Sequence, residues 1–141
     1  MEGRAFLEVA DHLLHDERES FLRSSIGRSY YAAYLEARVF CERYLGLVRS
    51  SSSREHQLVA TCLLTFDPSV ADTLRFLRRD RNTADYDIDV SDHTVRLTSN
   101  RARRSAELVI AALDAHVERL GRERQTDESS PKSQERAEDR E

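Results

Sequence analysis

In Leu74-Arg-Phe-Leu-Arg-Arg-Asp-Arg-Asn-Thr-Ala-Asp-Tyr86 an arginine stands where a helix ordinarily places a core residue. Counted from the Asp67-Pro68 pair, apolar side chains fall at Val70, Leu74, Leu77 and Ala84, with Arg81 filling the gap. The steps of four, three, four and three trace one face of an α-helix. Arg81 is therefore directed inward or toward a partner, where an unpaired guanidinium is costly. Asp85, one turn on, is its nearest local carboxylate. Asp67 as N-cap and Pro68 in first position start this helix, which is expected to end near Tyr86.

Working outward, the same periodicity recurs on both sides. Phe6, Val9, Ala10, Leu13 and Leu14 predict a short first helix. Leu22, Ile26, Tyr30, Ala33, Ala37, Phe40 and Tyr44 predict a long second one, with Gly46 suited to its C-terminal cap. After the serine loop at 50–53, Leu58, Val59, Cys62, Leu63 and Phe66 mark a third. Residues 87–97 read either as extended structure or as the start of a long helix, and Thr98 or Ser99 is the expected cap of the last helix. That helix carries Ala102, Ala106, Val109, Leu113, Val117 and Leu120, and no run alternates as a strand. The expected architecture is an all-α antiparallel bundle of four to five helices. Tyr31, Leu35 and Val39 lie off the main stripe of the second helix, beside Arg28 and Arg38. A helix apolar on more than one side is central in its bundle or covered by a second subunit, and both are expected here.

Composition sets the boundaries. The 141 residues suffice for one domain, with residues 1–121 folded and 122–141 a disordered charged tail whose only apolar residue is Ala137. Charged residues make up 34% and no apolar run approaches a membrane span, so the expected setting is cytoplasmic. Cys41 and Cys62 have no CxxC spacing and sit in apolar helical patterns, as reduced core thiols do. The formal net charge of −4 does not favour nucleic acid, but its distribution is uneven. Arg75, Arg78, Arg79 and Arg81 form one basic run, Arg96, Arg101, Arg103 and Arg104 another, and Asp85, Asp87, Asp89 and Asp92 lie between. Lys132 is the only lysine, so arginine is the default cation.

Two segments together resemble the HEPN domain, a small helical bundle of prokaryotes also found in higher eukaryotes. They are Arg28-Ser-Tyr-Tyr-Ala-Ala-Tyr-Leu-Glu-Ala-Arg38 and Leu77-Arg-Arg-Asp-Arg-Asn-Thr-Ala-Asp-Tyr86, and helix order agrees over roughly residues 4–120. The resemblance implies a homodimer and an RNA-directed role in a toxin–antitoxin or defence system. Many HEPN domains are metal-independent endoribonucleases, using an arginine, a following polar residue and a nearby histidine contributed by both copies. Attack of the ribose 2′-hydroxyl on phosphate would be assisted by the histidine, with arginine on the developing charge. Arg81 and Asn82 match the arginine–polar positions, while Asp85 and Tyr86 stand where the histidine falls. The Ala-Asp-Tyr ending resembles a subgroup lacking that histidine. By this resemblance Arg81 would hold the scissile phosphate, Asn82 would position it, and Asp85 or Tyr86 would transfer the proton. Arg28, Arg78 and Arg79 are the expected RNA-phosphate contacts. A nucleotidyltransferase-like antitoxin or other defence protein is an expected partner, and no cofactor is implied. The alternative is a non-catalytic dimerisation or nucleotide-binding module scaffolding a partner nuclease or nucleotidyltransferase, with Arg81 and Asp85 an ion pair that fixes register.

Other polar residues suggest less. His56 opens the third helix and is expected to hydrogen-bond backbone near the helix end, with a lesser alternative that it lies near the cleft. His12, His15 and Asp16 could be drawn as a helical metal site but lack a fourth ligand. Tyr30 and Tyr34, one turn apart, could stack bases, though core aromatics with hydroxyls reaching the surface are the simpler expectation. There is no Gly-rich phosphate loop, nucleophile elbow or zinc spacing, which excludes most common enzyme classes.

Overall fold

Apolar residues recur at helical spacing along most of the chain, and five α-helices result. The computed structural model describes residues 2–129, with α1 at Gly3–Leu14, α2 at Glu19–Tyr44, α3 at Glu55–Leu64, α4 at Pro68–Tyr86 and α5 at Asp92–Glu128. Strands are absent among the described residues. Asp67 caps α4 as expected, its carboxylate accepting from the Val70 amide at 3.1 Å, with Pro68 following. Past the end of α2, Gly46 adopts a φ of 73°, a left-handed turn that suits glycine. The turn lets the Leu45 and Leu47 amides both donate to the Cys41 carbonyl and brings Leu47 back onto the core.

α2 is the central helix and touches each of the other four. Of the residues the periodicity predicts, Leu22, Ile26, Tyr30, Ala33, Ala37 and Phe40 are buried and Tyr44 half-buried, while Ser25, Ser29, Ala32, Tyr34 and Cys41 are buried beside them. Gly3 of α1 lies against Ala32, whereas Ala10 receives a hydrogen bond from Ser25, so α1 and α2 run antiparallel. Tyr30 meets Leu74 and Arg78, while Arg23 reaches Ala84 and Asp87, so α4 also opposes α2. Asp80 pairs with Arg101 and Asp67 with His116, which makes α5 antiparallel to α4 and parallel to α2. The core of Leu22, Ile26, Leu63, Leu74, Leu77 and Val109 fills the space between these helices. Each such side chain contributes about 1.5–3 kcal/mol by leaving water.

Two close contacts fix the helix ends. A Cβ at Gly3 would lie 2.6 Å from the Ala32 carbonyl oxygen, so only glycine permits this approach of α1 to α2. Arg23 closes the other end of the bundle. Its guanidinium donates to the carbonyls of Ala84 at 2.9 Å and Asp87 at 2.7 Å, and its Nε to Glu19 at 2.7 Å. The last carbonyls of α4, which lack intrahelical donors, are thereby satisfied by a cation.

The segment 87–97 departs from its extended reading. Only residues 87–91 lie outside helices, and Ser91 caps α5 by accepting from the Thr94 amide at 3.3 Å. The cap is thus earlier than Thr98 or Ser99. Val95, Ser99, Ala102, Ala106, Val109 and Leu113 form one continuous buried stripe, in which the small Ser99 serves as a core residue and donates to the Arg96 carbonyl. At its far end α5 continues through Glu128, so residues 122–128 of the expected tail are helical, on a fully exposed stretch. The rest of that expectation, residues 130–141, lies outside the described residues. Val9, Leu58 and Val117, each read as part of an apolar stripe, are solvent-exposed. Cys41 is buried and Cys62 half-buried, both as free thiols. No helix among the described residues is long and apolar enough to cross a membrane.

Candidate functional site

The stripe on α4 is built as its spacing predicts. Val70, Leu74, Leu77 and Ala84 are buried, and Arg81, on the same face, retains 25% side-chain exposure. Its Nε meets the Asp85 carboxylate at 2.9 Å, and its guanidinium lies over the Tyr31 ring at 5.5 Å from the centroid. An aromatic face and a carboxylate together make a half-buried guanidinium tolerable. Arg81 Nη1 also donates to Asn82 Oδ1 at 3.5 Å, the long limit of a hydrogen bond. Arg81, Asn82 and Asp85 are therefore together. Tyr86, five residues past Arg81 and roughly 140° round the helix, is 78% exposed and stands apart from them.

The expected phosphate contacts divide among three faces. Arg78, one turn before Arg81, shares its side of α4. Arg79 lies over the exposed Phe76 ring at 4.8 Å, on the side where α4 meets Arg101 of α5. Arg28 lies over Phe6 at 5.6 Å, and Phe6 in turn adjoins Tyr31 with centroids 6.2 Å apart. The second apolar side of α2 is thus partly covered by α1. The basic run on α5 is largely spent on internal bridges: Arg96 to Glu17, Arg101 to Asp80, and Arg103 to Asp11 and Glu107.

Beside Arg78 and Arg81 the structure assembles a cluster that the linear sequence conceals. α2 supplies Tyr30, Tyr31 and Tyr34, and α3 supplies Glu55 and His56. The His56 ring stacks on Tyr34 with centroids 4.1 Å apart, and its Nδ1 is hydrogen-bonded to the Tyr30 hydroxyl. His56 therefore pairs with a side chain and not, as expected, with backbone. Burial, then the nearby Arg78 and Arg81 guanidinium groups, lower its pKa below the ordinary imidazole value. Tyr34 donates to Glu55 at 2.8 Å, and Arg38 reaches the same carboxylate oxygen at 3.0 Å. Burial, reinforced by Glu55, pushes the Tyr34 hydroxyl up to about 12. For Glu55, burial opposes ionisation, but the Tyr34 and Arg38 donors outweigh it and hold the carboxyl below its usual range. Tyr30 and Tyr34 are 1% and 4% exposed, so they are core aromatics with polar tips and not a base-stacking platform.

Against this cluster lies a cavity of about 320 Å³ between α2, α3 and α4, lined by Tyr30, His56, Gln57, Thr61, Arg75 and Arg78 over the apolar Ala60 and Leu74. No spacing rule links residue 56 to residues 78 and 81; only the fold does so. The signal present was weak: a histidine opening a helix just after a loop, in a chain where tyrosines recur on the preceding helix. His12, His15 and Asp16 do not assemble: His15 Nδ1 bonds the Asp11 carbonyl at 2.7 Å, and Asp16 is held by Arg18 at 2.6 Å. Among the described residues no group of three or more His, Cys, Asp or Glu is placed to hold a metal ion. Compared with known proteins, the chain matches no family model, no curated protein and no solved structure.

Proposed function

We propose that this chain is a HEPN-like, RNA-directed protein of a prokaryotic toxin–antitoxin or defence system, acting as a homodimer. The observation that carries the reading is Arg81, a guanidinium kept on the core stripe of α4 yet still reaching solvent beside Tyr31. A second copy packed on this face would bring two such arginines together over one RNA strand. Arg81 would then stabilise charge developing on the phosphate as the ribose 2′-hydroxyl attacks, with Asn82 positioning the strand. Within one protomer Asp85 is the carboxylate beside Arg81, so it is the proton-transfer group this reading favours over Tyr86. Arg78, one turn from Arg81 on α4, and Arg28, which stands over Phe6 next to Tyr31, would contact backbone phosphates.

The test is RNA cleavage by the purified protein in EDTA, wild type beside Arg81→Ala. Cleavage that survives chelation and is abolished in the variant supports a metal-independent nuclease; silence from both folded proteins rejects it. A second reading, a non-catalytic dimerisation module for a nucleotidyltransferase or nuclease partner, draws on the Arg81–Asp85 pair at 2.9 Å, in which the carboxylate is already committed. Under it, expression in a bacterial host is harmless. Under the first reading, expression arrests growth and Arg81→Ala relieves the arrest.

A further inference from the structure

Arg78 differs from the other half-buried arginines. Arg23, Arg38, Arg81, Arg96 and Arg103 each meet a carboxylate. Arg78 is also partly withdrawn from solvent, yet among the described residues it has no hydrogen bond or ion pair. A partly desolvated guanidinium without an anion is an unfavourable arrangement unless an anion arrives from outside.

The space beside Arg78 is suited to one. The cavity between α2, α3 and α4 presents Arg75, Arg78, His56, Gln57 and Thr61, and no carboxylate lines it. Glu55 is held by Tyr34 and Arg38, and Arg75 itself lies 3.6 Å from the exposed Asp72, beyond hydrogen-bond distance, so it is free to turn to a bound anion. Burial raises the pKa of the Tyr30 hydroxyl, so it stays protonated, and it is hydrogen-bonded to His56 Nδ1. With the Tyr30 O–H as donor in that bond, the proton of the neutral ring lies on Nε2, where it can serve an anion beside the guanidinium groups.

We propose that this cavity binds the phosphate group of a phosphomonoester. Arg75 and Arg78 neutralise its two charges, and the His56 Nε2–H, the Gln57 amide and the Thr61 hydroxyl complete the donors. A terminal phosphate fits this donor set better than a carboxylate, which offers fewer oxygens and a single charge. The site does not depend on RNA cleavage, because Arg81 and Asp85 are not among the residues that line it. The phosphate could belong to a free mononucleotide or to the end of an RNA strand.

Calorimetric titration of the full chain at constant ionic strength tests this, using inorganic phosphate, AMP, and one short RNA bearing either a 5′-phosphate or a 5′-hydroxyl. Saturable binding of phosphate and AMP is expected. Arg78→Gln should weaken it at least about tenfold, the loss of one charge-assisted contact. Thr61→Val, at an exposed position with little bearing on folding, should weaken it by a smaller factor, and Arg104→Gln on α5 should leave it unchanged. Preference for the 5′-phosphorylated RNA over both its 5′-hydroxyl twin and AMP assigns the site to a strand end; AMP binding as tightly as either RNA assigns it to a free nucleotide. Absence of saturable binding to phosphate and AMP overturns the proposal, as does equal weakening in Arg78→Gln and Arg104→Gln.

Discussion

Single residues in this protein act through the partner that the fold gives them. Arg23 is the clearest case, since one guanidinium holds two carbonyls at the end of α4 and a carboxylate on its own helix. Arg23→Ala is expected to lower stability by about 1–2 kcal/mol, because a part-buried carbonyl at the end of α4 loses its charged donor. Urea denaturation of the variant measures it, and an unchanged midpoint would show that water replaces the guanidinium at no cost. Arg81 was legible in the sequence because a polar residue interrupted an apolar period. Arg23 was not, because nothing in its spacing predicts a carbonyl 61 residues away. His56 was weighed as an ordinary helix-end histidine for the same reason: its neighbours Tyr30 and Arg78 come from other helices.

At the scale of helices, the first and last elements behave differently. α1 is tied down at Gly3, where a methyl group would lie 2.6 Å from the Ala32 carbonyl oxygen and 2.8 Å from the Glu36 Cγ. Gly3→Ala is expected to push α1 outward and cost about 1–3 kcal/mol, as over-packing does. Amide exchange resolves it, since protection should fall in α1 before it falls in α4. The final turns of α5 are the opposite case, exposed throughout from Gly121 to Glu128. A chain ending at Leu120 should match the full chain within about 0.5 kcal/mol in thermal denaturation. Four helices were readable from their periods, two of them with a residue marking one end, Gly46 after α2 and Asp67 before α4. The start of α5 was misplaced because Ser99, fully buried, was counted as a polar cap and not as a small core residue. Its extension past residue 121 went unread because a helix of charged residues with no buried side leaves no period to detect.

Across the whole molecule, acid should loosen the bundle in two stages. Asp11, held below the usual carboxylate range by its hydrogen bond to Arg103, ties α1 to α5. Asp67 is also lowered: burial opposes its ionisation, but His116 and the Val70 amide outweigh it. A carboxyl with a depressed folded pKa contributes stability above its unfolded value and loses it as pH falls through the folded one. These contributions are therefore complete above about pH 4 and fade below it. His56, also depressed, adds an earlier stage, because the unfolded imidazole takes up a proton below about pH 6.5 before the folded one does. Denaturation midpoints from pH 8 to pH 3 should decline first gently and then steeply. In His56→Gln the gentle stage should vanish while the steep one remains.

The clamps between α1 and α5 also concern the order of synthesis. Asp11 meets Arg103 across 92 positions, and Arg4 meets Asp114 across 110. On a ribosome the first helix emerges early and can pair with α2, but its other neighbour is still untranslated. Until α5 is released, the flanks of α1 and α2 that it will cover stay open to whatever else is in reach. A chaperone, or a second nascent copy on the same message, therefore meets a half-built groove that the finished protein never displays.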